Sequence, residues 1–271
     1  MAETLPRAQL PKSEERILYS QVTRRNYRID VLLPGSYAFT EKNYPVVYLL
    51  DGEFTTGLAS SLTGFLHSLG TTPEVIVASI QLVVEPNEDF WYLREIEFKV
   101  PGVPDAPPNS QANLFLSALE KEILPLVETA YRANPAERIL YGYSSSGFFT
   151  LYTLLGLPGL FRTYLAGSPD TDLINPYWKV NDQNLLSRPN PAPIDLFLTI
   201  GGMENGRYQS SQSSFQELLA NLQAKNYPGL RLVSEVYPHE DHGAMGMALT
   251  YLNGLCWCFP TFNSTERRTL D

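Results

Sequence analysis

The stretch RILYGYSSSGFFTLYTLLG, residues 138–156, joins two apolar segments through three consecutive serines. The segment before the serines, residues 138–142, is apolar and bounded by glycine, as expected for a buried strand. The segment after them, residues 148–155, is apolar and long enough for a helix. A serine at a strand-to-helix turn is typical of proteins that use its hydroxyl as a nucleophile. The stretch therefore indicates an α/β fold with a reactive group at the turn.

The spacing of small residues around the serines selects one of them. A nucleophile elbow has the pattern G-x-S-x-G, because its tight turn crowds the positions two before and two after the serine. Ser144 has Gly142 and Ser146 at these positions, whereas each of its two neighbours would have an aromatic residue at one of them. The pattern predicts Ser144 as the nucleophile, the backbone N–H of Ser145 as an oxyanion donor and Ser146 as a small filler. The alternative is a helix N-cap without chemistry.

A nucleophilic serine needs a general base, and in this type of sheet the base follows the last strand. His67 precedes the serine and does not fit this order. His239 and His242 both follow the predicted strand at 230–237. We predict His242 as the base, because it stands at the start of the last predicted helix, with His239 as the alternative.

The acid that orients the base is expected after the penultimate strand, which we predict at residues 194–200. The sequence GGMENG follows that strand and contains Glu204, the predicted acid. Asp170 and Asp172, which follow a short predicted strand at 163–166, are the alternatives.

A second oxyanion donor is expected from a loop after an earlier central strand. The sequence VVYLLDGEF, residues 46–54, ends a near-continuous apolar run with Asp-Gly-Glu. We predict that the backbone N–H of Glu53 is this donor and that Gly52 permits the turn. The alternative is an ordinary Asp-Gly turn.

Strand and helix patterns alternate after residue 45, which predicts an α/β fold with a mostly parallel central sheet and helices on both faces. Two segments rich in β-branched and aromatic residues, 17–20 and 27–33, predict a hairpin that adds an antiparallel N-terminal edge. In such sheets the site forms at the carboxyl ends of the strands.

The length of 271 residues favours one domain. We predict that this domain spans residues 15–260 and has irregular loop insertions near 85–110 and 168–193. Residues 1–14 are expected to form a flexible N-terminal arm, and residues 261–271 a C-terminal tail.

Several stretches resemble the esterase D-type branch of the α/β-hydrolase superfamily, and the resemblance extends from about residue 16 to residue 257. The stretches are YRIDVLLPGSY, YPVVYLLDGE, LEKEILPLVETAYRANPAERILYGYSSSG, AGSPD and HEDHG. This branch includes siderophore esterases, S-formylglutathione hydrolases, feruloyl-type esterases and mycolyltransferases. The resemblance implies an α/β-hydrolase fold and the same assignments for Ser144, His242, Glu204, Glu53 and Ser145.

The function that follows from these assignments is serine carboxylic-ester hydrolysis through an acyl-enzyme, with a small-molecule ester as substrate. A siderophore lactone, an aryl ester or a thioester would each fit. The alternatives are an acyltransferase with the same triad and a non-catalytic binding protein on a hydrolase scaffold. The mechanism requires no cofactor and no metal. The clearest departure from the family pattern is Ser146, where glycine is usual.

Substrate-binding residues are predicted near the two oxyanion turns and in the two insertions. They are Gly52, Phe54, Trp91, Arg94, Tyr143 and Trp178. One hypothesis is that Arg94 meets an anionic group of the substrate and that the aromatic residues wall a pocket; the alternative for Arg94 is that it pairs with surface acids. The alternative is that these aromatic residues pack the insertions onto the domain.

The composition excludes several classes of partner. A net charge of -9 argues against a nucleic acid and supplies no polybasic surface for a membrane. The N-terminal sequence lacks the apolar core of a signal peptide, and Cys256 and Cys258 are expected to be reduced thiols. These features predict a cytoplasmic protein; they do not predict an oligomeric state.

Overall fold

The computed structural model describes residues 10, 12–188, 192–206, 208 and 210–260. The strands are β1 (Ser13–Tyr19), β2 (Asn26–Leu32), β3 (Tyr44–Leu49), β4 (Ile76–Leu82), β5 (Ala133–Tyr143), β6 (Thr163–Gly167), β7 (Ile194–Gly201) and β8 (Leu230–Tyr237). The helices are α1 (Gly52–Ser68), α2 (Phe90–Phe98), α3 (Ala112–Ala118), α4 (Leu124–Ala130), α5 (Ser145–Gly156), α6 (Thr171–Asn181), α7 (Gln183–Leu186), α8 (Gln212–Lys225) and α9 (Ala244–Cys258). Most of the predicted arm and the whole predicted tail lie outside the described residues.

The described strands form one eight-stranded sheet in the order β1-β2-β4-β3-β5-β6-β7-β8. β1 pairs antiparallel with β2, and β2 pairs antiparallel with β4. The pairings from β4 through β3 to β8 are parallel. The predicted mostly parallel sheet with an antiparallel N-terminal edge is therefore confirmed.

Helices cover both faces of this sheet, so its central strands are buried on both sides. In β3 the side chains alternate between two hydrophobic clusters: Val46 and Tyr48 belong to one, and Val47 and Leu49 to the other. Successive side chains of a strand point to opposite faces, which explains the unbroken apolar run that the sequence shows here. The carboxyl ends of β3, β5, β7 and β8 are consequently held at one edge of a rigid core.

The first insertion is more regular than the sequence predicts, because residues 90–98 form α2. The side chain of Asp89 caps this helix by accepting a hydrogen bond from the N–H of Tyr92 at 3.2 Å. Leu93, Ile96 and Phe98 are buried on the core side. The cap and this apolar face outweigh the prolines and acids that led us to predict a loop.

The second insertion also contains helices, α6 and α7, and it corrects the prediction for Trp178. Pro176 lies inside α6, and its presence favoured an irregular segment in the sequence. The helix nevertheless forms because one of its faces packs on the core. Trp178 belongs to that face: its side chain is 1% exposed, and its Nε1 donates to the hydroxyl of Tyr227 at 2.7 Å. Trp178 is thus a core residue, and the prediction that it binds substrate is wrong.

No helix within the described ranges is long and apolar enough to cross a bilayer.

The core holds one carboxyl group that offers a test of the fold. Glu97 on α2 is 3% exposed and accepts a hydrogen bond from the hydroxyl of Tyr27 on β2. Burial raises the pKa of Glu97 to about 8. The group is therefore protonated in the folded protein over a pH range in which the unfolded chain ionises it.

We expect Glu97→Gln to stabilise the protein increasingly as the pH rises. Between about pH 4.5 and pH 8 the unfolded chain releases the proton of Glu97 and the folded chain keeps it, so raising the pH favours unfolding of the wild type. Glutamine carries no charge and escapes this penalty. Thermal unfolding from pH 5 to pH 8.5 should show a difference in Tm that grows with pH. Glu41→Gln, at an exposed position, is the control, and its Tm difference from the wild type should not change with pH. The prediction would be contradicted if the Tm difference between Glu97→Gln and the wild type were also the same at every pH.

Candidate active site

Ser144 occupies the turn between β5 and α5, as the sequence predicts. Its backbone has φ 62° and ψ -126°, a conformation that residues with a side chain rarely adopt. Its N–H donates to the carbonyl of Gly167 at 2.9 Å, which ties the turn to the end of the neighbouring strand β6. The residue is half-buried and lines a cavity. The strained turn therefore presents the hydroxyl at the edge of the sheet instead of in its core.

The crowding that the motif predicts is present around this turn. A Cβ atom added to Gly142 would lie 2.2 Å from the carbonyl oxygen of Ser146, so only glycine fits there. Ser146 itself is fully buried, and it is more than a filler. Its hydroxyl oxygen accepts the N–H of Tyr143 at 2.9 Å and lies 2.6 Å from Asp51 Oδ2, to which it donates.

His242 and Glu204 form a hydrogen-bonded pair beside the same cavity. His242 Nδ1 lies 3.0 Å from Glu204 Oε2. The other carboxylate oxygen, Oε1, accepts the N–H of Gly201 at 2.9 Å and the hydroxyl of Ser168 at 2.6 Å. Glu204 is 4% exposed, and its two oxygens are held by these three groups. This arrangement fixes the orientation of the imidazole and leaves Nε2 available to a substrate or to Ser144.

The alternative acids, Asp170 and Asp172, have no hydrogen bond to His242 among the described residues, and the alternative base, His239, lies on the surface. Asp170 forms a buried ion pair with Lys99 and accepts a weak hydrogen bond from Ser145 Oγ at 3.3 Å. Asp172 and His239 are exposed. Among the predicted candidates the structure therefore brings together Glu204 and His242.

Two tyrosine rings flank His242. The ring centroid of Tyr143 lies 5.2 Å from that of His242, and its hydroxyl accepts the N–H of Gly243 at 3.2 Å. Burial raises the pKa of Tyr143 to about 12, so its hydroxyl is neutral at neutral pH. Tyr208 stacks on the imidazole with a centroid distance of 4.9 Å. Sequence reasoning missed Tyr208, because its loop has no motif that marks an aromatic contact.

The two predicted oxyanion donors lie in the first turns of two helices. Ser145 is the first residue of α5, and Glu53 is the second residue of α1. N–H groups in a first helical turn have no acceptor within the helix, and the helix dipole favours negative charge there. Both residues line the cavity that Ser144 and His242 share.

Gly52 shapes the turn before α1 and does not line the cavity. A Cβ atom at this position would lie 2.4 Å from the side chain of Gln81 and 2.5 Å from the hydroxyl of Ser79. Asp51, which precedes it, has a left-handed backbone with φ 54°. The absence of a side chain at Gly52 lets the chain pass close to β4, as predicted for the turn, while the prediction that Gly52 binds substrate stays a prediction.

The cavity has a volume of about 880 Å³ and a mixed lining. Its apolar lining residues include Phe54, Leu58, Trp91, Ala244 and Met247. Its polar lining residues include Glu95, Lys99, Asp105 and Asp170. The rings of Phe54 and Trp91 stack at 5.5 Å with 13° between their planes, and both remain partly exposed. Of the predicted substrate-binding residues, Phe54, Trp91, Arg94 and Tyr143 line this cavity.

Arg94 lines the cavity but is already paired, which argues against the predicted contact with an anionic substrate. Its Nε and Nη2 donate to the two carboxylate oxygens of Asp51 at 2.6 and 2.7 Å. Nη2 also lies 3.3 Å from the carbonyl oxygen of Tyr143, and Nη1 lies 3.2 Å from Glu95 Oε1. The side chain is buried, so a substrate anion would have to displace a bidentate ion pair.

Lys99 is a buried cation that lines the cavity and that sequence reasoning missed. Its ammonium pairs with Asp170 and lies 4.8 Å from the centre of the Phe148 ring. Burial lowers the pKa of Lys99 to about 8. In the sequence it is an isolated lysine before a proline-rich segment, with nothing to distinguish it from a surface residue.

Within the described ranges, no three His, Cys, Asp or Glu side chains are arranged to hold a metal ion. The two cysteines of α9 are free thiols.

Solved structures with similar architecture define the class of fold. Siderophore hydrolase EstB from Aspergillus nidulans aligns with a TM-score of 0.78 and 21% identity, covering 97% of this chain and 98% of that chain. A crystal structure of the enterobactin esterase FES from Shigella flexneri in the presence of enterobactin aligns with a TM-score of 0.66 and 17% identity, covering 94% of this chain and 61% of that chain. The fold is that of the α/β-hydrolases.

Sequence comparison then gives the family. Residues 20–244 match the model of the Esterase family, described as "Putative esterase". The chain belongs to this family and is an ester hydrolase. Ferri-bacillibactin esterase BesA from Bacillus subtilis (strain 168) is 28% identical over 247 residues, which cover 86% of this chain and 85% of that protein.

Proposed function

We propose that the protein hydrolyses an ester bond of a siderophore through an acyl-enzyme on Ser144, with His242 as general base and Glu204 as its orienting acid. The observation that carries the proposal is the 3.0 Å hydrogen bond from His242 to Glu204, beside a cavity that the strained residue Ser144 also lines. A scaffold that only binds a ligand has no need of this arrangement.

In the first step, Ser144 Oγ attacks the ester carbonyl and its proton passes to His242 Nε2. The imidazole becomes positively charged, and the carboxylate of Glu204 stabilises that charge through Nδ1–H. The carbonyl oxygen becomes negative and accepts hydrogen bonds from the N–H groups of Glu53 and Ser145. Removing one such donor typically costs about 3–4 kcal/mol of barrier.

In the second step, the imidazolium returns its proton to the leaving alcohol, and the tetrahedral intermediate collapses to the acyl-enzyme. Water then attacks this ester while His242 takes a proton from it. The second intermediate releases the carboxylic acid, and Ser144 recovers its proton. Each proton that leaves an oxygen therefore returns to an oxygen through one imidazole.

The proposed substrate class rests on the relatives and on the cavity. BesA is named a ferri-bacillibactin esterase, and an apo-salmochelin esterase from Escherichia coli O6:H1 (strain CFT073) is 29% identical over 153 residues, 54% of this chain. The stacked rings of Phe54 and Trp91 give the cavity an aromatic surface on which a planar acyl group would pack. A volume of about 880 Å³ accommodates a substrate much larger than a simple acetyl ester.

Covalent labelling tests the nucleophile. A fluorophosphonate probe should label the wild type and Ser145→Ala, because Ser145 contributes only its backbone N–H to the mechanism. The same probe should fail to label Ser144→Ala. Labelling of Ser144→Ala at the wild-type rate would overturn the assignment.

A substrate panel tests the class of ester. It should contain iron-free and ferric trilactone siderophores, a feruloyl ester, a thioester and p-nitrophenyl esters of rising chain length. We expect kcat/KM to be highest for a trilactone, with activity lost in Ser144→Ala. Faster turnover of the thioester or of a simple alkyl ester would contradict the siderophore assignment and leave the mechanism intact.

A further inference from the structure

We propose that Ser146, Asp51 and Arg94 form a brace that positions the two oxyanion donors relative to each other. We use "brace" for these three side chains and their mutual hydrogen bonds. They are positioning residues, since the oxyanion would contact the backbone N–H groups of Glu53 and Ser145. The inference rests on the proposed function and goes beyond it, because it assigns a role to the serine that stands where glycine is usual.

The hydrogen bond between Ser146 and Asp51 joins the two turns that supply the donors. Ser146 follows Ser145 directly, and Asp51 lies two residues before Glu53. Ser146 Oγ and Asp51 Oδ2 are 2.6 Å apart, and both side chains are buried. The acceptor is a carboxylate, and a hydrogen bond to a charged group is stronger than one between neutral groups. Glycine at position 146 would leave the two turns without this link.

Arg94 completes the brace from α2. It donates to both oxygens of Asp51 and lies within hydrogen-bond distance of the carbonyl of Tyr143, the residue before the nucleophile. The turn at Asp51 and the turn at Ser144 are therefore linked twice, once through a hydroxyl and once through a guanidinium. Both turns have strained, positive-φ backbones, which need surrounding contacts to persist.

The ion pair also has an electrostatic consequence for the site. Asp51 lines the cavity, and an unpaired carboxylate there would oppose the negative charge that develops on the substrate carbonyl. The positive charge of Arg94 cancels that field. The brace thus sets both the distance between the two donors and the sign of the potential around them.

Ser146→Ala tests the brace by removing one hydroxyl and no backbone donor. We expect kcat to fall about tenfold with KM nearly unchanged, because small displacements of catalytic groups act on the transition state. Affinity for a boronic acid, which mimics the tetrahedral intermediate, should fall by the same factor. Ser146→Gly should show the same loss, although it restores the usual residue of the motif. Combining Ser146→Ala with Asp51→Asn should cost less than the sum of the two single changes, since both act on the bond between Ser146 and Asp51, while Asp51→Asn also weakens the pair with Arg94.

Thr153→Val is the matched control. Thr153 lies on the same helix, α5, and its buried hydroxyl has no hydrogen-bond partner among the described residues. Its replacement removes a buried hydroxyl without touching the brace, so kcat and boronic acid affinity should stay at the wild-type level.

Two results would overturn the brace. One is an unchanged kcat and an unchanged boronic acid affinity in both Ser146→Ala and Ser146→Gly; the other is a rise in KM alone. Either result would leave the Ser144-dependent activity of the wild type in place and would refute only the brace. Activity that survives in Ser144→Ala would instead refute the proposed function.

Discussion

Replacing His242 with alanine is expected to lower kcat for ester hydrolysis roughly 10⁶-fold, while Glu204→Gln lowers it about 10⁴-fold. Under the proposed mechanism, the first change removes the group that accepts the proton of Ser144. The second keeps the imidazole but replaces the charged acceptor at 3.0 Å with a neutral amide, which also permits the wrong tautomer. Initial rates with a p-nitrophenyl ester and with a trilactone would measure both effects.

Two further variants make this prediction specific to the triad. Ser144→Ala combined with His242→Ala should be no slower than either single variant, because residues that act as one unit lose their effect together. His239→Ala is the matched control, since His239 is exposed in the same loop and has no contact with Glu204 among the described residues. A rate for His242→Ala within about tenfold of the wild type, or an equal loss in His239→Ala, would refute the assignment of the base.

Gly142→Ala is expected to destabilise the fold and to inactivate the enzyme at the same time. The added methyl would lie 2.2 Å from the carbonyl oxygen of Ser146 and 2.6 Å from the hydroxyl of Thr150. Backbone must therefore move, at a cost of about 3 kcal/mol, which lowers Tm by roughly 6–12 °C for a domain of this size. Because the movement displaces Ser144, we also expect kcat to fall by about 100-fold or more at temperatures where the variant is folded.

Gly57→Ala makes the same chemical change as Gly142→Ala, but we expect it to raise the stability of the protein. Gly57 lies inside α1, and a Cβ atom there would meet nothing within 4 Å. Alanine should stabilise the helix by about 0.5–1 kcal/mol and leave kcat unchanged. Thermal unfolding and initial rates of the two variants, measured side by side, would separate a steric effect at the elbow from a general effect of losing glycine. Equal Tm values for both would contradict the prediction.

The sequence was sufficient to predict the sheet and to nominate the residues of the proposed triad, because both depend on chain order. Parallel strands place their carboxyl ends at one edge, so residues that directly follow separate strands are brought together. This reasoning selected Ser144, His242 and Glu204. It preferred Glu204 but kept Asp170 as an alternative, since both follow strands at the same edge. The structure distinguishes the two acids, because Asp170 forms a buried ion pair with Lys99.

The sequence could not settle the roles of side chains whose environment is set by distant partners. Arg94 reads as an unpaired cation in an insertion, and its partner Asp51 is 43 positions away. Trp178 reads as one of several aromatic residues in an irregular segment, and only the amphipathic packing of α6 shows that it faces the core. Ser146 has the right size for its position, but a motif cannot show that its hydroxyl reaches another turn.

The hydrogen bond between the Gly243 N–H and the Tyr143 hydroxyl spans 100 positions of the chain, and it joins the residue before Ser144 to the residue after His242. During translation, the turn at Ser144 is therefore synthesised well before His242, whose imidazole would activate the serine. Closing a loop of this length costs more chain entropy than closing a short one, so we expect such a contact to form after local ones. Under the proposed mechanism, a nascent chain cannot hydrolyse an ester until α9 has packed and His242 is in place. The onset of ester hydrolysis during synthesis would therefore mark the completion of folding.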